Sequence, residues 1–148
     1  MTQRLAILVL AGLLAVFLLP GVQLVYAQGE HDHIHVNIDV KPGSFPNAIN
    51  MRSNGVVPVA LLGSAEFDVH GVDTRTVTFG PMHHHEHGGG TAALRYAFED
   101  VNGDGYMDLI FHFATRATGL TSSDTEACLH GEHEGHHFCG HDSVKVIG

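Results

Sequence analysis

After the first 27 residues the apolar pattern has a period of two, and no stretch sustains the 3.6-residue period of a helix. Ile34, Val36, Ile38 and Val40 alternate with His33, His35, Asn37 and Asp39, which is the pattern of a strand with one buried face. Lys41-Pro42-Gly43-Ser44 then supplies turn chemistry. Residues 56–62 (VVPVALL) form a second apolar run, in which Pro58, lacking an N–H, predicts an edge strand or a bulge. Shorter strand signals follow at 74–79, 93–98, 109–113, 126–129 and 143–147, while residues 64–67 leave room for a single helical turn. Seven or so short strands, separated by Gly, Pro, Asn and Asp, predict an all-β fold built as an antiparallel β-sandwich.

The first 27 residues stand apart. Arg4 is their only charged side chain, residues 5–19 are almost purely apolar, and Pro20-Gly21 breaks the run before Val25-Tyr26-Ala27. Charged, apolar and cleavage regions in that order read as a secretory signal peptide over residues 1–27. An apolar core of about 15 residues is short for a membrane helix, which needs about 20, so no membrane association is expected after cleavage. Residues 28–148 then form a single domain, and loss of Arg4 takes the formal net charge from −9 to −10. Such a surface excludes nucleic acid and anionic lipid as partners, since both select basic patches, and it favours cations. Residues 82–90 (MHHHEHGGG) break the strand pattern and read as a His-rich loop between two strands.

Cys128 and Cys139 are the only cysteines. In an exported chain an even pair this close predicts a disulfide, with buried thiols or a metal–thiolate site beside histidine as the alternatives.

The clearest chemical motif is residues 100–108, Asp-Val-Asn-Gly-Asp-Gly-Tyr-Met-Asp. Ca²⁺ is a hard cation that takes six to eight oxygens, and a loop coiling at glycine turns alternate residues onto one centre. Asp100, Asn102, Asp104 and Asp108 would supply side-chain oxygens and Tyr106 its carbonyl. The loop departs from an EF-hand at its twelfth position, which is Phe111 rather than Glu, and in its strand-like flanks. It is closer to the calcium loops of integrin-type FG-GAP repeats, dockerins and thrombospondin type 3 repeats. Without metal the same residues would form an acidic turn held by Asx hydrogen bonds.

Several longer stretches carry a family resemblance: IDVKPGS at 38–44, PNAIN at 46–50, GVVPVALLG at 55–63, TVTFG at 76–80, EDVNGDGYMD at 99–108 and DTEA at 124–127. Together they resemble a secreted bacterial and archaeal domain, often left as a hypothetical protein and found beside surface-anchoring or dockerin modules. The resemblance implies a secreted β-sandwich, immunoglobulin-like or jelly-roll-like, with structural Ca²⁺. It also implies Asp39, Asn47 and Asn50 as oxygen ligands of a second calcium site. It carries no enzymatic activity with it.

This chain departs from that family in its fourteen histidines. His31, His33 and His35 share one face of the first predicted strand. His83, His84, His85 and His87 lie in the loop, and His130, His133, His136, His137 and His141 surround the cysteines. If Cys128 faces Cys139 across a hairpin, His130 faces His137, with His133 or His136 at the turn as a third ligand. Imidazole suits Zn²⁺, Cu²⁺ and Ni²⁺. His70 and His112 stand alone and read as ordinary histidines.

An enzyme is not expected. No Gly-x-Ser-x-Gly elbow, His-Glu-x-x-His helix or Gly-rich phosphate loop is present, and the histidine order does not follow copper–zinc superoxide dismutase. The sequence therefore predicts a secreted calcium-binding structural or interaction module, engaging cell-surface or matrix proteins or assembling with itself. Extracytoplasmic handling of zinc, copper or nickel is the alternative.

Overall fold

The structure is a computed structural model and describes residues 33–82 and 89–148. The predicted signal peptide, His31, and the loop histidines His83, His84, His85 and His87 lie outside the described residues.

The described chain folds into eleven strands: β1 (Ile34–His35), β2 (Ile38–Val40), β3 (Ala48–Asn50), β4 (Val56–Leu61), β5 (Val72–Pro81), β6 (Thr91–Ala92), β7 (Arg95–Glu99), β8 (Asp108–Ala114), β9 (Glu126–His133), β10 (His136–Ser143) and β11 (Lys145–Ile147). They form a five-stranded sheet ordered β1-β10-β9-β5-β6 and a four-stranded sheet ordered β2-β4-β8-β7, with a short β11-β3 ribbon beside them. Most neighbours are antiparallel, while β1 with β10 and β11 with β3 run parallel. The fold is the all-β sandwich that the alternation predicts.

Its core is aromatic where the sheets meet. Phe79 of β5 stacks on Phe113 of β8 with ring centroids 5.2 Å apart. Phe111, Leu129, Phe138, Val59 and Val77 are buried around them. Buried rings of this kind dominate core energetics through the apolar area they remove from water.

Two expectations about the strands need correction. Residues 34–40 are not one strand: β1 joins the five-stranded sheet and β2 the four-stranded one, so the chain crosses between sheets at Val36 and Asn37. The amide of Val36 donates to the Cys139 carbonyl at 3.0 Å, and the Asn37 carbonyl accepts from the Leu62 amide at 2.9 Å. Pro58 does not mark an edge strand, because β4 runs between β2 and β8. Its carbonyl accepts from Lys41, one residue past the end of β2. The missing N–H faces Lys41, whose carbonyl accepts instead from the Ser44 amide at 3.0 Å, so the proline leaves no acceptor unpaired where the ladder ends. Helical structure among the described residues includes 3₁₀ turns at Val69–Gly71 and Thr115–Thr118.

Candidate functional site

The 100–108 loop connects β7 to β8 and coils around its first residue. Oδ1 of Asp100 accepts from the Gly103 amide at 2.8 Å, and Oδ2 accepts from the Gly105 amide at 2.9 Å. Gly103 and Gly105 have φ of +71° and +90°, the left-handed conformation that such coiling needs and that glycine adopts at no steric cost. Asn102 and Asp104 cap the amides two residues on, at 3.2 and 2.9 Å. Asp108 closes the base. It is 0% exposed, and its Oδ1 and Oδ2 accept from the amides of Gly63 (2.8 Å) and Val101 (2.9 Å). Gly63 has no room for a side chain, since a Cβ there would run into the Met107 carbonyl.

The donor set of this loop suits a hard cation. Asp100, Asp104 and Asp108 bring three carboxylates, Asn102 an amide oxygen and Tyr106 a carbonyl. An ionised carboxylate accepts at about four lone-pair positions, so Asp100 and Asp108, each holding two amides, retain capacity for metal. As the side chains stand, no three His, Cys, Asp or Glu among the described residues are grouped to hold an ion. Beside the loop runs an open groove lined by Ser64, Phe67, Asp68, His70, Tyr106 and Met107. There His70 stacks on Phe98 at 4.8 Å and donates to Asp68. Hydrogen bonds from the His70 amide and ring hold the Asp68 carboxyl below its ordinary value.

Of the residues implied for a second calcium site, the structure relates two to a third that the sequence reading missed. Asn47 is only 4% exposed, and its Nδ2 donates to Oδ2 of Asp142 and to the Ser143 carbonyl, each at 2.9 Å. The Asp142 Oδ2 also accepts from the Val40 amide of β2, so this one carboxylate ties β10 to β2. Burial, and then the neighbouring Asp142 charge, push the Asp39 carboxyl up. The Asn47 Oδ1 is buried without a hydrogen-bond partner. Asn50 is engaged elsewhere, accepting from the Arg52 amide at 3.0 Å. Asp142 falls in the closing stretch of the family resemblance but carries no ligand role there, and the fold brings it to Asn47.

The cysteines and histidines gather on the outer face of the five-stranded sheet. Glu134 and Gly135, with φ of +50° and +83°, make a two-residue turn that sets His133 opposite His136. Positive φ at both central residues is the hairpin geometry matching strand twist. Continuing that register, Glu132 faces His137, His130 faces Cys139, and Cys128 faces His141.

The predicted disulfide is therefore absent: Cys128 and Cys139 are diagonal neighbours, and both are thiols. Diagonal neighbours stand about 7–8 Å apart, their Cβ atoms somewhat less, whereas a disulfide requires Cβ atoms roughly 3.5–4.5 Å apart. The predicted facing of His130 with His137 fails for the same reason, a register displaced by two residues. Burial, with Cys139 and Glu126 nearby, pushes the Cys128 thiol up to about 12.

β1 adds to this face from the other side of β10. His35 is registered beside Cys139, with Nδ1 4.0 Å from its Sγ, and the rings of His33 and His137 lie 6.2 Å apart. Three rows result: His33, His137 and Glu132; then His35, Cys139 and His130; then His141 and Cys128. His133 and His136 have the opposite parity and are excluded. His133 packs on Phe67 at 4.6 Å and its Nε2 donates to the Asp68 carbonyl at 2.8 Å.

No protein-family model, curated protein or solved structure matches this chain.

Proposed function

We propose that this chain is an exported structural or interaction module whose 100–108 loop binds Ca²⁺ and thereby staples β7 to β8. The observation that carries this reading is the wrapping of the loop around Asp100, which gathers two amides onto one carboxylate while Asn102, Asp104 and Tyr106 follow at alternate positions. Alternate oxygens around a glycine turn are what a six- to eight-coordinate hard cation requires. A domain with a formal net charge near −10 also gains from a bound dication, and metal held only by the folded state raises stability by mass action. Export rests on the signal-peptide pattern of residues 1–27. Cell-surface or matrix proteins, or further copies of the chain, are the partners that such a module would engage, and catalysis has no part in this reading.

The test is a thermal melt of the exported chain in chelator and with millimolar Ca²⁺. At 100 times the dissociation constant, calcium should add about 2.7 kcal/mol, and Asp100→Ala should abolish the shift. A melting temperature indifferent to calcium rejects the proposal.

A second reading, extracytoplasmic handling of zinc, copper or nickel, is favoured by one observation. Histidines of β1, β9 and β10 share one sheet face with both cysteines.

A further inference from the structure

The two strands of the terminal hairpin carry the same short pattern. On β9 it is Cys128-Leu129-His130, and on β10 it is Cys139-Gly140-His141. Because β9 and β10 are antiparallel and the register pairs Cys139 with His130 and Cys128 with His141, the repeats interlock as a checkerboard. The two thiols occupy one diagonal and the two imidazoles the other. All four side chains leave the sheet on one face, since residues two apart on a strand and residues directly opposite share a face.

We propose that Cys128, His130, Cys139 and His141 form a binding site for a thiophilic d¹⁰ cation, Zn²⁺ or Cu⁺. The proposal deepens the metal-handling reading by naming its site and placing thiolate at its centre. Three observations support it. The diagonal that is too wide for a disulfide suits two sulfurs on one ion. Metal–sulfur bonds of about 2.3 Å at a tetrahedral centre hold the sulfurs about 3.8 Å apart, which lets the Cβ atoms stand near 7 Å. The second is orientation: Glu126 lies 3.3 Å from Nδ1 of His141. A carboxylate on one ring nitrogen fixes the tautomer that leaves Nε2 to the metal. The third is the reserve ligand at the edge, since His35 Nδ1 stands 4.0 Å from the Cys139 Sγ. Two ligands at about 2.3 and 2.0 Å on one tetrahedral ion lie about 3.5 Å apart, so this pair is within a small rotation of sharing a cation. Side-chain rotation brings the four together, because the backbone already places their Cβ atoms on one face of the sheet, with Cys128 buried and the other three partly or fully exposed. Binding releases the two thiol protons to solvent as the sulfurs become thiolates.

The purified exported chain, reduced and stripped of metal, is titrated with Co²⁺ as a spectroscopic stand-in for Zn²⁺, and in parallel with Cu⁺ under reductant. One Co²⁺ per chain should appear with a near-ultraviolet thiolate-to-cobalt charge-transfer band and the intense visible bands of a tetrahedral centre, and Zn²⁺ should displace it. If the natural cation is Cu⁺, it displaces Zn²⁺ at one equivalent. Cys139→Ser, at a half-exposed position, keeps the fold and should lose the charge-transfer band. Its affinity should fall by more than about 100-fold, since even outer-shell partners are worth about 10–100-fold. In the unaltered folded chain, one equivalent of Zn²⁺ should shield the half-exposed Cys139 thiol from a thiol reagent. Cobalt binding without a charge-transfer band overturns the thiolate site while leaving a histidine-only metal protein standing. No binding at all overturns the metal-handling reading as well. A chain isolated with both thiols oxidised to a Cys128–Cys139 disulfide also overturns the proposal.

Discussion

Asp108 offers the sharpest test of how the loop is built, and the test needs no metal. Its carboxylate is 0% exposed and holds two amides, from Gly63 at 2.8 Å and from Val101 at 2.9 Å. One amide belongs to the turn after β4 and the other to the loop before β8, so one side chain joins two connections. A hydrogen bond to a charged group contributes about 1.5–3 kcal/mol net, and a buried donor left without an acceptor costs about 1–3 kcal/mol. Asp108→Ala removes both bonds at once. Relief of the desolvated charge and entry of water offset part of the loss, leaving about 3–4 kcal/mol. For a domain of this size each kcal/mol moves the midpoint by about 4 °C, so the melt should fall by about 12–16 °C. Asp108→Asn keeps one acceptor oxygen and should lose about half as much. The measurement is paired thermal and urea denaturation in chelator, with an unchanged urea slope showing that the unfolded state is unaltered. A fall of less than about 4 °C for the alanine variant would refute the clasp.

Other outcomes follow from the same geometry. Burial, with Arg95 adding to it, pushes the His112 imidazole below its ordinary value. The unfolded chain then takes up a proton before the folded one, so this contribution is intact above about pH 6.5 and is lost as pH falls through and below it. His112→Phe should flatten the decline in stability between pH 7.5 and 5.5, measured by urea titration in chelator, and equal slopes in the two proteins would dismiss it. Gly140→Ala places a Cβ 2.6 Å from the Val36 carbonyl. It should cost about 1–3 kcal/mol as overpacking and loosen β1 from β10, visible as faster hydrogen exchange at the Val36 amide. Gly135 sits at φ +83° with open space around it, so Gly135→Ala should cost about 1–2 kcal/mol from backbone strain alone. Glu134→Asn, with a residue better suited to φ +50°, should raise stability; a melt that rises for the first or falls for the second contradicts the turn assignment.

Alternation was enough to read the all-β class, because Ile38, Val40, Val57, Val59, Val77 and Phe79 all place their apolar groups inward at period two. β10 escaped that reading. Its inward positions are Phe138 and Gly140, and the space a side chain would fill at Gly140 is taken by the Val36 carbonyl, from the crossover after β1 more than a hundred residues earlier. The hairpin register was legible only to a reader who placed Glu134 in a left-handed conformation. Shifting the turn by one residue displaced every pairing by two and exchanged Cys128 for His130 as the partner of Cys139. Pro58 misled because the rule about proline concerns one N–H and one neighbour, and it says nothing of where that neighbour stops. The loop at 100–108 was legible as a loop, since its glycines and carboxylates act on one another within nine residues. Asp142 was not, because its partners Val40 and Asn47 are 102 and 95 positions away.

The parallel pairing of β1 with β10 also sets an order of events. His35 and Cys139 are 104 positions apart, while β9 and β10 meet through a two-residue turn. Hairpins close in about 1–10 μs, whereas contacts of long sequence separation must first bear the entropy of a long closed loop. The checkerboard of thiol and imidazole is thus assembled early and locally. Until β1 docks, the outer edge of β10 stays bare, an unpaired edge of the kind that recruits other chains. A chain that emerges amino end first has β1 waiting for nearly everything behind it. The first strand of this domain therefore docks onto a hairpin that local contacts close first.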